Sequence, residues 1–187
     1  MAEDDELACI GNLKVVESGN IIAKYYSVFE HALLCTVESN FVSMDEVNDI
    51  AKKVLEICSI KCKVIVLHSD NIANYHKERS EVYTSLMRHL KSSHWITSLK
   101  LCPLLEQPNV IGAIPAALLT LCELEGRSGC ILIQYVISNN IDSSTMEGYD
   151  VIKKELQKQC ELKVDKSQIQ TRLKRLTNSV ATNVLYT

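Results

Sequence analysis

Two short, almost continuous apolar runs, residues 64–67 and residues 130–137, constrain the fold of this chain most strongly. Runs of this length without polar alternation are typical of strands that are buried on both faces of a sheet. Because segments with helical periodicity alternate with these runs along the chain, we expect a mixed sheet with helices on both sides. The sequence therefore predicts an α/β protein, folded as a single three-layer α/β/α domain.

The first third of the chain has a different pattern, which predicts strands. Residues 13–16, 21–26 and 33–37 are short runs, rich in β-branched or aromatic side chains, and turn formers stand at 18–20. Such runs favour an antiparallel meander.

A helix is predicted after the meander. Ser43 and Glu46 have the spacing of a capping box, which marks a helix N-terminus. Beyond them, apolar side chains recur at helical spacing, at Val47, Ile50, Ala51, Val54, Leu55 and Cys58.

The middle of the chain has weaker patterns. Residues 69–80 are polar and favour a loop, residues 82–90 fit a short helix, and residues 95–102 favour a strand.

Helical signals return in the second half. Pro115 suits the first turn of a helix that continues through 116–125, and Gly126 is placed to end it in the left-handed conformation. Two further helices are predicted, one after a second capping box at 144–147 and a last one near 169–176.

Composition narrows the class of protein. Hydrophobic residues make up 47% of the chain and charged residues 23%, which excludes a disordered protein. The longest largely apolar run, residues 110–122, is too short to cross a bilayer and contains Pro115. We expect no membrane span.

The cysteines and the first residues predict a compartment. The chain has 8 cysteines, scattered mostly through apolar segments, and its first eight residues carry four acids and no basic residue. Such a start lacks the features of a secretory signal. Reduced, buried thiols in the cytosol or nucleus are the expectation.

The net charge of −3 excludes a strongly basic nucleic-acid binder, but it conceals a basic region. Residues 152–175 contain eight Lys or Arg and three acids. This region is either a solvated helical face or a patch that contacts an acidic protein.

A search for catalytic residues finds one candidate set. His68, Ser69 and Asp70 follow the first apolar run, where open α/β sheets often place active sites. No nucleophile elbow, P-loop or dinucleotide-binding turn can be written from the glycines. Ordinary loop residues are the preferred interpretation, and no catalytic residue or cofactor is predicted.

Metal binding has little support in the sequence. Cys58 and Cys62 are four residues apart and His68 follows, but structural zinc sites usually need four ligands in tighter pairs. Buried thiols are the expectation, and no metal site is predicted.

The last ten residues, 178–187, carry no charged side chain and are predicted to form a flexible tail beyond a folded part, 1–177. The tail ends in a hydrophobic residue, a tyrosine and any residue: Leu185, Tyr186 and Thr187. A terminal carboxylate on Thr187 can meet a lysine and backbone donors while the two preceding side chains pack, so this ending suits insertion into a pocket of a partner.

Residues 102–109, Cys-Pro-Leu-Leu-Glu-Gln-Pro-Asn, and residues 115–122, Pro-Ala-Ala-Leu-Leu-Thr-Leu-Cys, closely resemble the central signature of the proteasome assembly chaperone 1 family. The ending resembles that family too, and the resemblance covers roughly residues 60–187. The chain is shorter than the vertebrate members, so contacts made by their insertions are not expected here. Leu104 and Leu105 face either the core or a partner subunit, with core packing preferred.

The resemblance implies a fold and a function. The fold would be α/β with a phosphorylase/hydrolase-like arrangement. The function would be that of a non-enzymatic chaperone, a heterodimer with proteasome assembly chaperone 2, which docks on the α ring of the 20S proteasome. Leu185, Tyr186 and Thr187 would be the residues that bind the proteasome. The alternatives are an α/β enzyme that acts on a small molecule and a regulator of mature proteasomes.

Overall fold

The computed structural model describes residues 9–14, 21–29, 32–37, 43, 45–76, 85–99, 102–137, 148, 150, 153 and 154. The predicted helix near 169–176 and the tail lie outside these residues, and so does most of the helix after 144–147. The chain divides into two compact units. One comprises Met1–Val64, Ser92–His94 and Ile111–Gly129, and the other comprises Ile65–Lys91, Trp95–Val110 and Cys130–Thr187.

The first unit contains the predicted meander. Its strands are β1 (Cys9–Lys14), β2 (Ile21–Phe29) and β3 (Ala32–Val37), in that order in the sheet. Both pairings are antiparallel, with Leu13 opposite Ala23 and Tyr25 opposite Cys35. The prediction of an antiparallel meander is confirmed.

The helix predicted after the meander is also confirmed, as α1 (Val47–Glu56). Its apolar stripe is buried. The capping box forms only in part. The Glu46 carboxylate accepts the Ser43 backbone N–H at 3.1 Å, but the Ser43 hydroxyl donates to the same carboxylate at 2.6 Å instead of capping a backbone N–H. The helix consequently begins after Glu46, one turn later than a full box would place it.

A second helix, α2 (Ala113–Leu124), packs against α1, and Pro115 lies in its first turn as predicted. Gly126 follows with φ +70°, the left-handed conformation expected for it. The N–H of Arg127 donates to the carbonyl of Cys122 at 2.8 Å, and that of Gly126 to the carbonyl of Glu123 at 3.3 Å. These two hydrogen bonds form a Schellman motif, which satisfies the last carbonyls of the helix.

The second unit is built on a sheet with the order β4-β6-β5, formed by β4 (Val64–Asn71), β5 (Ser85–Lys91) and β6 (Gly129–Val136). The pairing of β5 with β6 is antiparallel, and a parallel bridge joins His89 to Leu104. The predicted α/β class and mixed sheet are therefore confirmed. Every residue of β6 is buried, as expected for a strand in the middle of a sheet.

Two predictions about these strands are wrong. Residues 85–91 form β5, whereas the sequence predicted a helix over 82–90. The apolar spacing there fits a short helix, but pairing with β6 decides the structure. The strand β4 is not buried on both faces, because Leu67 is exposed; among the strands that the structure describes, β4 lies at the edge of the sheet beside β6.

The described part of the predicted strand 95–102 has irregular backbone instead. Its apolar side chains nevertheless form the core beneath the sheet. Trp95, Leu99 and Cys102 pack with Cys130 and Leu132.

Candidate protein-binding site

The predicted proteasome-binding residues, Leu185, Tyr186 and Thr187, lie outside the described residues. Their role stays a prediction. The structure does describe residues 102–109, which we call the signature loop. Its geometry defines the candidate site.

The signature loop is hydrogen-bonded to β5 along its backbone. The His89 N–H donates to the Pro103 carbonyl at 2.9 Å, and the Leu105 N–H donates to the His89 carbonyl at 2.8 Å. The His89 ring nitrogen Nδ1 lies 2.6 Å from the Cys102 carbonyl oxygen, which places a proton on Nδ1. The loop thus runs along β5 like a very short extra strand.

This pairing turns the two leucines of the loop to opposite sides. Leu105 is 7% exposed and belongs to the core, whereas Leu104 is 58% exposed. Successive side chains of an extended segment point in opposite directions, so the two cannot share one environment. Core packing, the preferred interpretation from sequence, holds for Leu105 and is wrong for Leu104.

A cluster of three polar side chains holds the loop from the other side. Arg88 Nε donates to Glu106 Oε2 at 2.7 Å, and Arg88 Nη2 donates to Glu106 Oε1 at 3.1 Å. The Tyr75 hydroxyl donates to Glu106 Oε1 and accepts from Arg88 Nη2 at 2.8 Å. The Tyr75 ring also packs against Tyr135, with 5.0 Å between ring centroids. We call Arg88, Glu106 and Tyr75 the loop lock.

The loop lock stabilises the charged form of the Glu106 carboxylate. Hydrogen bonds from Arg88 are the main cause that lowers the pKa of Glu106 from 4.5 to about 2. Burial raises the pKa of Tyr75, so its hydroxyl keeps its proton at neutral pH. Because both carboxylate oxygens of Glu106 already accept hydrogen bonds, this carboxylate is suited to holding the loop and unsuited to removing a proton from a substrate.

The far end of the loop is held by Asn109. Its Oδ1 accepts the His76 backbone N–H at 2.7 Å, and its Nδ2 donates to the His76 carbonyl at 2.9 Å. Nδ2 also donates to the Glu106 carbonyl at 2.9 Å. The loop is therefore fixed at its start, middle and end, while the side chain of Leu104 faces solvent.

His68, Ser69 and Asp70, the catalytic candidates, lie within β4 rather than after it as predicted. Asp70 Oδ1 accepts hydrogen bonds from the Asn71 backbone N–H at 2.7 Å and from Asn74 Nδ2 at 2.8 Å. This carboxylate thus stabilises the 3-10 turn Ile72–Asn74. Burial lowers the pKa of half-buried His68, and Ser69 is exposed. Their arrangement is that of strand-end residues.

Two further findings apply to the described part of the chain alone. No group of three His, Cys, Asp or Glu side chains in it is arranged to hold a metal ion. None of its helices has the length and apolar character needed to cross a membrane.

A comparison with protein families decides the family of the chain. The family model named PAC1, described as proteasome assembly chaperone 4, matches residues 11–187. The chain belongs to the proteasome assembly chaperone family. The resemblance of the signature loop to this family is thereby confirmed.

Curated relatives of this family member carry the same family name. Proteasome assembly chaperone 1 of Xenopus tropicalis is 26% identical over 160 residues, which cover 83% of this chain and 54% of the relative. Proteasome assembly chaperone 1 of Homo sapiens is 27% identical over 117 residues, which cover 61% of this chain and 40% of the relative. The chain spans about half the length of the curated relatives it matches.

Solved structures with the same fold include archaeal proteins. A Thermoplasma acidophilum protein of unknown function has a TM-score of 0.65 at 11% identity, covering 94% of this chain and 74% of that one. Pyrococcus furiosus PbaA, an archaeal homolog of proteasome-assembly chaperone, has a TM-score of 0.57 at 17% identity, covering 93% and 74%. Pyrococcus furiosus PbaB, an archaeal proteasome activator, has a TM-score of 0.55 at 13% identity, covering 94% and 77%. These identities establish a shared fold.

Sequence reasoning about this chaperone-family chain missed the loop lock. Glu106 lies within the resemblance, but its partners Tyr75 and Arg88 are 31 and 18 residues away along the chain. Arg88 also fell in a segment predicted to be helical. The sequence offers one signal for Arg88. It is a charged residue between the apolar residues Leu86 and Leu90, and such a residue is usually paired when it is buried.

Proposed function

We propose that this chain is a non-enzymatic chaperone that promotes assembly of the 20S proteasome α ring as a heterodimer with proteasome assembly chaperone 2. Membership of the proteasome assembly chaperone family over residues 11–187 carries the proposal. The proposal assigns the chain to the cytosol or nucleus, where reduced thiols such as those of Cys122 and Cys130 are the norm.

The proposed contact with the α ring is the tail. The carboxylate of Thr187 would pair with a lysine and backbone donors at the bottom of an inter-subunit pocket. Tyr186 would pack and hydrogen-bond in the same pocket, and Leu185 would fill an apolar niche. The three groups depend on one another because a shift of one residue would misplace all of them.

The non-enzymatic part of the proposal draws support from the polar side chains of the described region. The carboxylates of Glu106 and Asp70 both accept hydrogen bonds from neighbouring groups, in the loop lock and in the turn after β4. A general base needs a free lone pair directed at a substrate. These carboxylates instead stabilise the fold.

Binding to purified α rings tests the tail. Deleting Leu185–Thr187, or changing Tyr186→Ala, should weaken binding at least tenfold while the melting temperature stays the same, since a tail adds little to the core. The Thr187→Ala variant is the matched control, because the last position accepts any residue, and it should bind like the wild type. Equal binding by Tyr186→Ala and wild type would contradict tail insertion.

Two alternatives have separate readouts. A regulator would bind mature 20S particles and change their peptide hydrolysis, whereas an assembly chaperone should copurify chiefly with unprocessed precursors. The fold shared with PbaB, an archaeal proteasome activator, makes this comparison worthwhile.

An enzyme would lose function without losing partner binding when His68 and Asp70 are replaced.

A further inference from the structure

The outer edge of the signature loop has one residue whose backbone groups are unpaired, Leu104. The His89 N–H and carbonyl bond to the residues on either side of it, Pro103 and Leu105, so the N–H and carbonyl of Leu104 point away from β5. Within the described part of the chain, neither of these two groups takes part in a hydrogen bond. Leu104 is also 58% exposed. The loop therefore offers one donor and one acceptor beside an exposed apolar side chain.

This free edge is one residue long. The next positions that face the same way in an extended segment are Cys102 and Glu106. The Cys102 N–H donates to the Leu99 carbonyl at 3.3 Å, and the Glu106 carbonyl accepts the Asn109 N–H at 3.1 Å. Blocking most of an edge in this way limits indiscriminate strand pairing. A partner strand can consequently exchange hydrogen bonds with Leu104 alone.

The chemistry of the loop specifies what can pair there. Glu106 is the one charged residue among 102–109, and Arg88 neutralises it at 2.7 Å. Hydrogen bonding and apolar contact, rather than charge, therefore select the partner. A single residue of an extended segment can donate to the Leu104 carbonyl and accept its N–H, while an apolar side chain covers the leucine.

We propose that Leu104 anchors the partner subunit of the heterodimer by pairing, as a one-residue strand, with an extended, apolar segment of that subunit. The inference rests on the proposed function, which requires two protein contacts. The tail supplies the contact with the α ring, so the contact between subunits belongs to the folded part. Because the loop lock holds Leu104 in place beforehand, little conformational entropy is lost on binding.

The first test measures the side-chain contact. Leu104→Ala should raise the dissociation constant between the purified full-length chain and purified proteasome assembly chaperone 2 about tenfold. Ile137→Ala is the matched control, because Ile137 lies outside the loop and is 57% exposed, close to the 58% of Leu104. The control should bind within about twofold of wild type.

The second test isolates the backbone hydrogen bond. Leu104→Pro removes the outward N–H but none of the hydrogen bonds between the loop and His89, and proline suits an extended backbone. Compared with Leu104→Ala, it should raise the dissociation constant about threefold or more further. Thermal unfolding checks that both variants are folded, and Leu104→Ala alone decides the assignment if Leu104→Pro fails to fold.

The outcomes separate this inference from the proposed function. If the wild type binds and Leu104→Ala binds equally well, the assignment of Leu104 is overturned and the proposed function stands. Equal binding by folded Leu104→Pro and Leu104→Ala would overturn the strand pairing. If sedimentation shows that Leu104→Ala abolishes self-association of the chain without weakening the heterodimer, the occupant is a second copy and the assignment to the partner subunit is wrong. Failure of the wild type to bind would overturn the heterodimer and the anchor together.

Discussion

Arg88 Nε lies 2.7 Å from Glu106 Oε2, and this ion pair fastens the signature loop to strand β5. The guanidinium is nearly buried, so it depends on the carboxylate for compensation of its charge. The pair and the Tyr75 hydroxyl together hold a loop that exposes Leu104. A rigid loop loses little conformational entropy when a partner binds it.

The Glu106→Gln substitution should destabilise the protein by about 1–3 kcal/mol, because it leaves Arg88 nearly buried without a counter-charge. Urea denaturation measures this free energy of unfolding. Glu56→Gln, the same chemical change at an exposed position of α1, is the control and should stay within about 0.5 kcal/mol of wild type. Equal stability of the two variants would argue against the loop lock.

Stability should depend on pH through the same carboxylate. Glu106 has a folded-state pKa of about 2, below the ordinary 4.5, so its contribution is present above about pH 4.5 and is lost as pH falls toward about 2. The stability difference between wild type and Glu106→Gln should therefore shrink over that interval. Denaturation curves at neutral pH and near pH 3 measure it. A difference that stays constant would contradict the assigned pKa.

Gly129→Ala should destabilise the first compact unit by about 1–3 kcal/mol, because overpacked sites force backbone shifts. A Cβ built at Gly129 would lie 2.7 Å from Cys122 Cβ and 2.9 Å from its Sγ. Gly112→Ala is the matched control, since a Cβ there meets nothing within 4 Å, and it should be close to neutral. Thermal melts of both variants test the difference, and equal melting temperatures would refute the close packing.

Native-state alkylation should distinguish the cysteines. Cys62 is exposed, whereas burial raises the pKa of Cys122 to about 11 and that of Cys130 to about 12. Because the thiolate is the reactive form, iodoacetamide at mildly alkaline pH should modify Cys62 well before the other two. Peptide mass spectrometry over time measures the order. Early modification of Cys130 would show that β6 opens readily.

The sequence alone predicted the elements that depend on local pattern. The meander, the apolar stripe of α1 and the left-handed Gly126 are encoded in a few adjacent residues, and the structure has all three. The burial of β6 was also predictable, because eight nearly apolar residues can rarely be placed elsewhere. The signature loop was found by resemblance, and its family is confirmed.

Tertiary contacts decided the rest. The apolar spacing of β5 predicts a helix, but pairing with β6 makes this segment a strand. Leu104 and Leu105 are identical side chains, and the bridge to His89 determines that one is exposed and the other buried. The loop lock and the hydrogen bond from Arg127 to the Cys58 carbonyl join residues that are far apart in the sequence, where no periodicity records a partner. Local order can be read from one segment at a time, whereas burial and charge pairing depend on which segments meet.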